Sequence, residues 1–501
     1  MQIKKILIKL LLWLIIFILL GAIAYGAFFL RKLNSFSNKI NPEQSEQKSE
    51  TLFETIASVA QIAKNNPPEL RSTADERINL LLLGVAGHGK PGQNLTDTIM
   101  IANINLKTNQ VALLSLPRDL YVTVPDSDWQ TKINAIYQSK LNNIKNETEA
   151  IEPLLRTVEE ITALDLHYYV VLNFDGFKKA IDAIGGVNIA NEKDIFDARY
   201  PGPNYSYETF DLKKGFQHLN GDLALKYARE RHDDPLGDFG RARRQQQIIQ
   251  ATKNKLFSTS LLFNIRSVNS LFDALGENVK TNLTSRELES FFELSKKLDT
   301  DNIINATIDA WNKDSLLKVS HIFYGNTPAF ILIPRVGNFS EIQDLAQNIF
   351  DLNKLKRRRE EIIKENASVA LINKSGDNSI VAKIQKLLSE NLVYKNVTVI
   401  SNPSKELTDI TSVYDSNSGT KPFTLDEIAT RLPAKVSYAL SDKYLSSSSF
   451  KGNKGGQKTP DIVLIIGKDL IEKYNMPEDS IEDFKQAQDD QDYLKMQDKS
   501  N

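Results

Sequence analysis

An apolar run from Leu10 to Leu30, broken by no charged residue, is the first strong pattern along the chain. Its length matches the ~20 residues with which a helix crosses a bilayer. Lys4, Lys5 and Lys9 precede it. Positive charge on the short side of a span holds that end in the cytoplasm, so the pattern predicts a single-pass cell-membrane anchor over residues 1–31 with everything after Arg31 outside the membrane. Ala22-Ile-Ala24 resembles a signal-peptidase site, but the apolar run continues past it to Leu30, which favours an uncleaved anchor. From 32 to 76 polar residues dominate, giving a stalk with little core and one short helix around Leu52 to Ala63.

Beyond residue 77 short apolar runs alternate with amphipathic stretches. Ile78 to Leu83, Thr98 to Ile104, Gln110 to Leu116 and Tyr168 to Phe174 read as strands. Glu149 to Leu164, Phe177 to Ile184, Arg241 to Leu256 and Ser285 to Leu298 read as helices, with a further helical segment opening at Lys132-Ile-Asn134. Tyr200 to Tyr207 reads as a loop. This order predicts an α/β sandwich with a central mixed sheet over 77–350. Leu352 to Glu365, dense in Lys, Arg and Glu, predicts a solvated connecting helix over 351–366. A small α/β domain follows over 367–470, with strands at Ser368 to Asn373, Val397 to Ser401 and Asp461 to Gly467 and helices at Ser379 to Asn391 and Leu425 to Leu432. Ser446 to Lys458 reads as a flexible loop, and the acidic tail 471–501 as disordered.

Composition narrows the function. The 62 basic and 63 acidic side chains leave a net charge of -1, which argues against a general nucleic-acid binder. The absence of cysteine excludes disulfides, thiolate catalysis and cysteine-based zinc sites. Charge is nevertheless concentrated: Tyr227 to Gln247 carries five arginines in twenty-one residues. On an extended strand Arg229 and Arg231 point the same way, and on a helix Arg241 and Gln245 share a face. The loop between them holds Asp233, Asp234 and Asp238. Two readings stay open, a polyanion site gripped by guanidinium forks and a local ion-pair network. Arg118 and Asp119 sit just past a strand, where open α/β sheets place their ligands. Gly84-Val-Ala-Gly-His-Gly-Lys90 fits the phosphate-loop spacing, but Pro91 replaces the Ser or Thr that holds Mg²⁺ there, so the stretch reads as a glycine-rich loop over the site.

Several strings in order carry a family likeness: Asn79 to Gly84, Thr96-Asp97-Thr98, Ser115-Leu-Pro-Arg-Asp119, Lys132-Ile-Asn134, Gly185-Gly-Val187, Leu219 to Arg231, and Asp238-x-x-Arg241-x-x-x-Gln245. Together they resemble the LytR-CpsA-Psr family. The resemblance implies a phosphotransferase outside the membrane that moves a glycopolymer from a polyprenyl-pyrophosphate carrier to a wall acceptor, usually peptidoglycan. It implies that Arg118, Arg229 and Arg231 bind the pyrophosphate, that Lys132, Arg241 and Gln245 support them, and that Asp97 takes part in holding Mg²⁺. Ala86 stands where the family commonly has a second metal-binding Asp, and Asp119, Asp233, Asp234 and Asp238 are the carboxylates in the sequence that could compensate for it. Val369 to Gly376 and Asp461 to Asp469 resemble the LytR C-terminal domain. The alternative function is a non-catalytic surface protein that binds polyprenyl phosphates or wall polymer. Nothing in the sequence sets an oligomeric state.

Overall fold

A computed structural model describes residues 69–144, 146–202, 206–230, 238–256, 276, 278–310, 315–324, 327–400, 406–432, 434–437 and 459–473. The apolar run 10–30, the stalk to residue 68, the 446–458 loop and the tail from 474 lie outside the described residues. Among the described residues no helix is long and apolar enough to cross a membrane. Backbone contacts divide the chain into two compact units. The first holds the described residues up to Arg118 together with Asn134–Leu155 and Asp165–Thr307; the second holds Asp119–Ile133, Arg156–Leu164 and the described residues from Ile308 onward.

The first unit is built on a six-stranded mixed sheet. Strand β1 (Arg77–Val85) runs antiparallel to β2 (Thr98–Asn105), and β2 antiparallel to β3 (Gln110–Leu116). Tyr168–Asn173 adds in parallel to β1 and Asp299–Thr307 in parallel to β3, with Val279–Thr281 at the far edge. β2 and β3 are buried along almost their whole length, because both faces of the sheet are covered. That explains why they read as continuous apolar runs rather than alternating ones.

Two features differ from the sequence reading. The 187–219 region holds two antiparallel strand pairs, Val187–Asn191 with Gly215–Leu219 and Ile195–Pro201 with Tyr207–Leu212, where a loop was expected around 200–207. Their alternating burial is the mark of half-covered strands, and Ile189, Tyr200 and Phe210 pack from them onto Tyr227 and Ile248. Arg229 does not lie on an extended strand. It is the last residue of the helix Gly221–Arg229, whose Asn220 cap accepts a hydrogen bond from Leu223 N. Ala224, Tyr227 and Ala228 are buried at i, i+3 and i+4 on that helix.

In the second unit a five-stranded sheet runs in the order Asn396–Ile400, Ser368–Asn373, Ile462–Ile466, Ser412–Asp415, Lys435–Ser437. The last two strands, of four and three residues, are too short to show a period in the sequence. Leu352–Glu365 is a helix with no buried residue. Arg431, on the helix Pro422–Arg431, donates to Asp344 at 2.5 Å, and Arg358 donates to Glu427 at 3.0 Å. Residues 340–347, placed by the sequence at the end of the larger domain, therefore share a unit with the C-terminal sheet.

Candidate active site

Asp97 immediately precedes β2 and Arg118 follows β3 by two residues. The β2–β3 register pairs Ile99 with Leu116, and the same register carried two residues outward sets Asp97 against Arg118. The side chains meet there: Arg118 Nη1 donates to Asp97 Oδ1 at 2.8 Å. Asn134 ties both backbones, its N–H donating to Arg118 O at 3.3 Å and its carbonyl accepting from Thr96 N at 3.1 Å. The structural role of Lys132-Ile-Asn134 in this unit is thus carried by a main-chain bridge.

Arg229 is held by different chemistry. Its guanidinium lies 4.5 Å from the Phe174 ring centroid and 5.8 Å from that of Tyr200, and among the described residues it makes no ion pair with a carboxylate. Phe174 opens the helix Phe174–Ala183 at the end of its strand, where Asn173 caps the turn by accepting from Gly176 N at 2.8 Å. Tyr200 is 3% exposed, and burial pushes its phenol up to about 12. Gln245 Nε2 reaches both Thr98 Oγ1 and Ala228 O at 3.3 Å, joining the start of β2 to the end of the Arg229 helix.

Arg244 is a residue that the sequence reasoning passed over. It is 5% exposed and donates from Nε to Tyr227 O at 3.0 Å and from Nη2 to Glu230 O. It thereby satisfies carbonyls at the C-terminal end of the Gly221–Arg229 helix, where a cation also complements the helix dipole. A buried arginine on a polar helix leaves no periodic signal by which it could have been found.

These elements enclose an open cleft of about 110 Å³ lined by Asp97, Thr98, Arg118, Phe174, Tyr200, Pro201, Arg229, Glu230, Arg241 and Gln245. Five residues singled out from sequence share it: Asp97, Arg118, Arg229, Arg241 and Gln245. Arg231, Asp233 and Asp234 lie outside the described residues, as does the side chain of Asp238, which begins the helix Asp238–Leu256. Lys132 and Asp119 belong to the second unit, where they pair with each other at 2.7 Å and Lys132 lies 6.0 Å from the Phe330 ring.

Among the described residues no three His, Asp or Glu side chains converge as metal ligands. Ala86 is 6% exposed and offers no oxygen. The acidic side chains of the cleft are Asp97 and the buried Glu230. Mg²⁺ is commonly held by one or two carboxylates with the rest of its shell from water and phosphate, so this donor set fits an ion completed by its substrate. The glycine-rich loop is not a nucleotide loop: Lys90 is spent on Asp175 at 2.5 Å, and β2, not a helix, is the next element. That hydrogen bond from Lys90 is also the main reason the Asp175 carboxyl sits below the usual range.

The sequence model of the LytR_cpsA_psr family matches residues 28–329, a span that contains the whole cleft. The chain belongs to this family. Among its relatives is the polyisoprenyl-teichoic acid–peptidoglycan teichoic acid transferase TagU of Bacillus mycoides, 29% identical over 288 residues covering 58% of this chain and 83% of that protein. The TagU of Bacillus anthracis is 31% identical over 248 residues, covering 50% and 73%. The corresponding transferase TagV of Bacillus subtilis is 31% identical over 274 residues, covering 51% and 66%. The crystal structure of B. subtilis TagV aligns over 56% of this chain and 99% of its own, at 26% identity and a TM-score of 0.42.

Proposed function

We propose that this family member is a membrane-anchored transferase that acts outside the membrane, moving an anionic glycopolymer from a polyprenyl-pyrophosphate carrier to peptidoglycan. The relatives are named as transferases of teichoic acid from a polyisoprenyl carrier to peptidoglycan. The observation that carries the reading to this chain is the presence in one open cleft of Arg118, held by a carboxylate, and Arg229, which among the described residues makes no ion pair and stands over aromatic rings. Phosphoryl transfer asks a protein mainly for positioning and charge neutralisation. Arg229 binds the pyrophosphate; Arg118 and Arg241 add charge along the same wall, and Gln245 holds the wall together. The acceptor hydroxyl attacks the phosphorus bonded to the glycan, the bond from that phosphorus to the lipid phosphate breaks, and polyprenyl phosphate leaves. With Asp97 assigned to the metal, Glu230 is the other carboxylate of the cleft and the one at hand to take the hydroxyl proton. Mg²⁺ at Asp97, when bound, supplies neutralisation of the phosphate charge.

In the same reading the apolar run 10–30 is the anchor, Arg231 and Lys132 support the pyrophosphate, and Asp119 or Asp238 supplements the metal site. Residues 367–470 form a LytR C-terminal-type accessory domain. Ala86 favours a second reading, a surface protein that binds the lipid pyrophosphate without turning it over. A purified ectodomain given lipid-pyrophosphate-linked glycan, Mg²⁺ and peptidoglycan separates the two. Release of lipid phosphate with glycan joined to the acceptor supports transfer; binding without release under any divalent ion supports the second reading.

A further inference from the structure

The two best-placed arginines of the cleft differ in what holds them. Arg118 spends a donor on the Asp97 carboxylate at 2.8 Å. Arg229 spends none on a carboxylate among the described residues, and instead stands over the faces of Phe174 and Tyr200 at 4.5 and 5.8 Å. A guanidinium carries its N–H donors in its own plane, so contact with ring faces steadies the group and leaves the donors facing outward. Both rings are themselves fixed. Phe174 begins a helix whose first turn is capped by Asn173, and Tyr200 is buried against Phe210, ring centroids 5.6 Å apart. Among the described residues the buried Tyr200 hydroxyl has no hydrogen-bond partner, and it is the ring that stands against the Arg229 guanidinium.

We infer that Phe174 and Tyr200 are positioning residues for substrate binding: their faces orient Arg229 so that its fork meets the diphosphate of the carrier lipid with its donors unspent. This rests on the reading of the cleft as a pyrophosphate site. The division also sets an order of recruitment. Arg229 binds the anion as the cleft stands, whereas Arg118 joins it once Asp97 is otherwise engaged.

The test measures affinity for a short-chain prenyl pyrophosphate by calorimetry, without metal, alongside kcat and KM for transfer. Phe174→Leu keeps an apolar side chain at a half-buried helix start but removes the face. It is expected to weaken binding about tenfold, with KM rising more than kcat falls. Tyr200→Leu is expected to act in the same direction, and Tyr200→Phe, which keeps the ring, to recover what Tyr200→Leu loses. Wild-type affinity in a folded Phe174→Leu protein overturns the inference, as does a Tyr200→Phe protein as weak as Tyr200→Leu. Arg229→Gln separates the two layers. If it binds like wild type the pyrophosphate reading of the cleft fails; if it binds weakly while Phe174→Leu does not, only the role of the rings fails.

Discussion

Arg118 and Asp97 meet at 2.8 Å because β2 and β3 end on the same side of the sheet in a register that opposes them. The pair leaves the cleft with its proposed metal carboxylate already neutralised by its proposed phosphate ligand. A cation at Asp97 competes with Arg118 for the carboxylate, and a pyrophosphate offers the Arg118 guanidinium a second acceptor, so cation and pyrophosphate should assist each other. Such coupling has to be reciprocal. Lipid-free protein is therefore expected to bind Mg²⁺ weakly, and a short-chain prenyl pyrophosphate to raise that affinity about tenfold or more. Calorimetric titration of Mg²⁺ with and without the lipid checks this. Tight Mg²⁺ binding in the absence of lipid would show that another acid completes the site and that Asp97 is not the limiting ligand.

The planar fork at position 118 is expected to matter beyond its charge. Arg118→Lys keeps a cation but replaces two in-plane donors by a point ammonium. Transfer should fall roughly a hundredfold in kcat, as for loss of a preorganised transition-state donor, with the melting temperature little changed because the side chain is partly exposed. A folded Arg118→Lys protein that turns over like wild type would remove Arg118 from the reaction.

The legible parts of this molecule are those in which one local rule decides the outcome. β1 to β3 show as apolar runs because the sheet is covered on both faces, and Leu352–Glu365 shows as a helix because it is dense in the helix-forming Lys, Arg and Glu, with Ile362 as its part-buried contact to the C-terminal core. Arg118 could be named because strand ends are where sheets place ligands, and Asp97 from its place in the Thr96-Asp97-Thr98 string that carries the family resemblance. The aromatic partners of Arg229 could not. Phe174 looks like the last residue of a strand and Tyr200 like part of a Pro- and Asn-rich loop, and only the packing of two strand pairs against the Gly221–Arg229 helix brings both rings to the guanidinium. The helix itself was readable from Asn220 and from Ala224, Tyr227 and Ala228 at helical spacing.

In the second unit Arg431 is 5% exposed and donates to Glu427 at 2.9 Å and Asp344 at 2.5 Å. Removing the cation leaves the buried Glu427 and its neighbour Asp344 with Arg358 as their remaining cation, at 3.0 and 3.6 Å, so the loss should approach but not exceed the roughly 3–5 kcal/mol of a broken buried pair. Arg431→Met should show that loss in urea denaturation, and Arg431→Met combined with Glu427→Leu should regain part of it. A single-variant loss below about 1 kcal/mol would place the cluster in the class of exposed pairs.

His167 should give the first unit an acid-sensitive seam. Its Nδ1 accepts the Asn79 N–H at 3.1 Å, and its own N–H donates to Asn79 O at 3.0 Å, where the chain enters the Tyr168–Asn173 strand beside β1. An accepting Nδ1 carries no proton. Burial lowers the imidazole below its ordinary value of 6.5, and Arg71 acts in the same direction against Asp165. The unfolded chain therefore binds more protons than the folded one between the two values. The stability contributed by neutral His167 is complete above the unfolded value and is lost as pH falls through the lowered folded one. Melting temperature should accordingly hold steady above about pH 7, begin to drop as pH falls through about 6.5 and go on dropping toward the lowered folded value, ahead of the ordinary carboxylates. His167→Gln keeps an acceptor oxygen for Asn79 but cannot be protonated, so its melting temperature should stay flatter over the same interval. Parallel curves for wild type and His167→Gln would assign the acid sensitivity elsewhere.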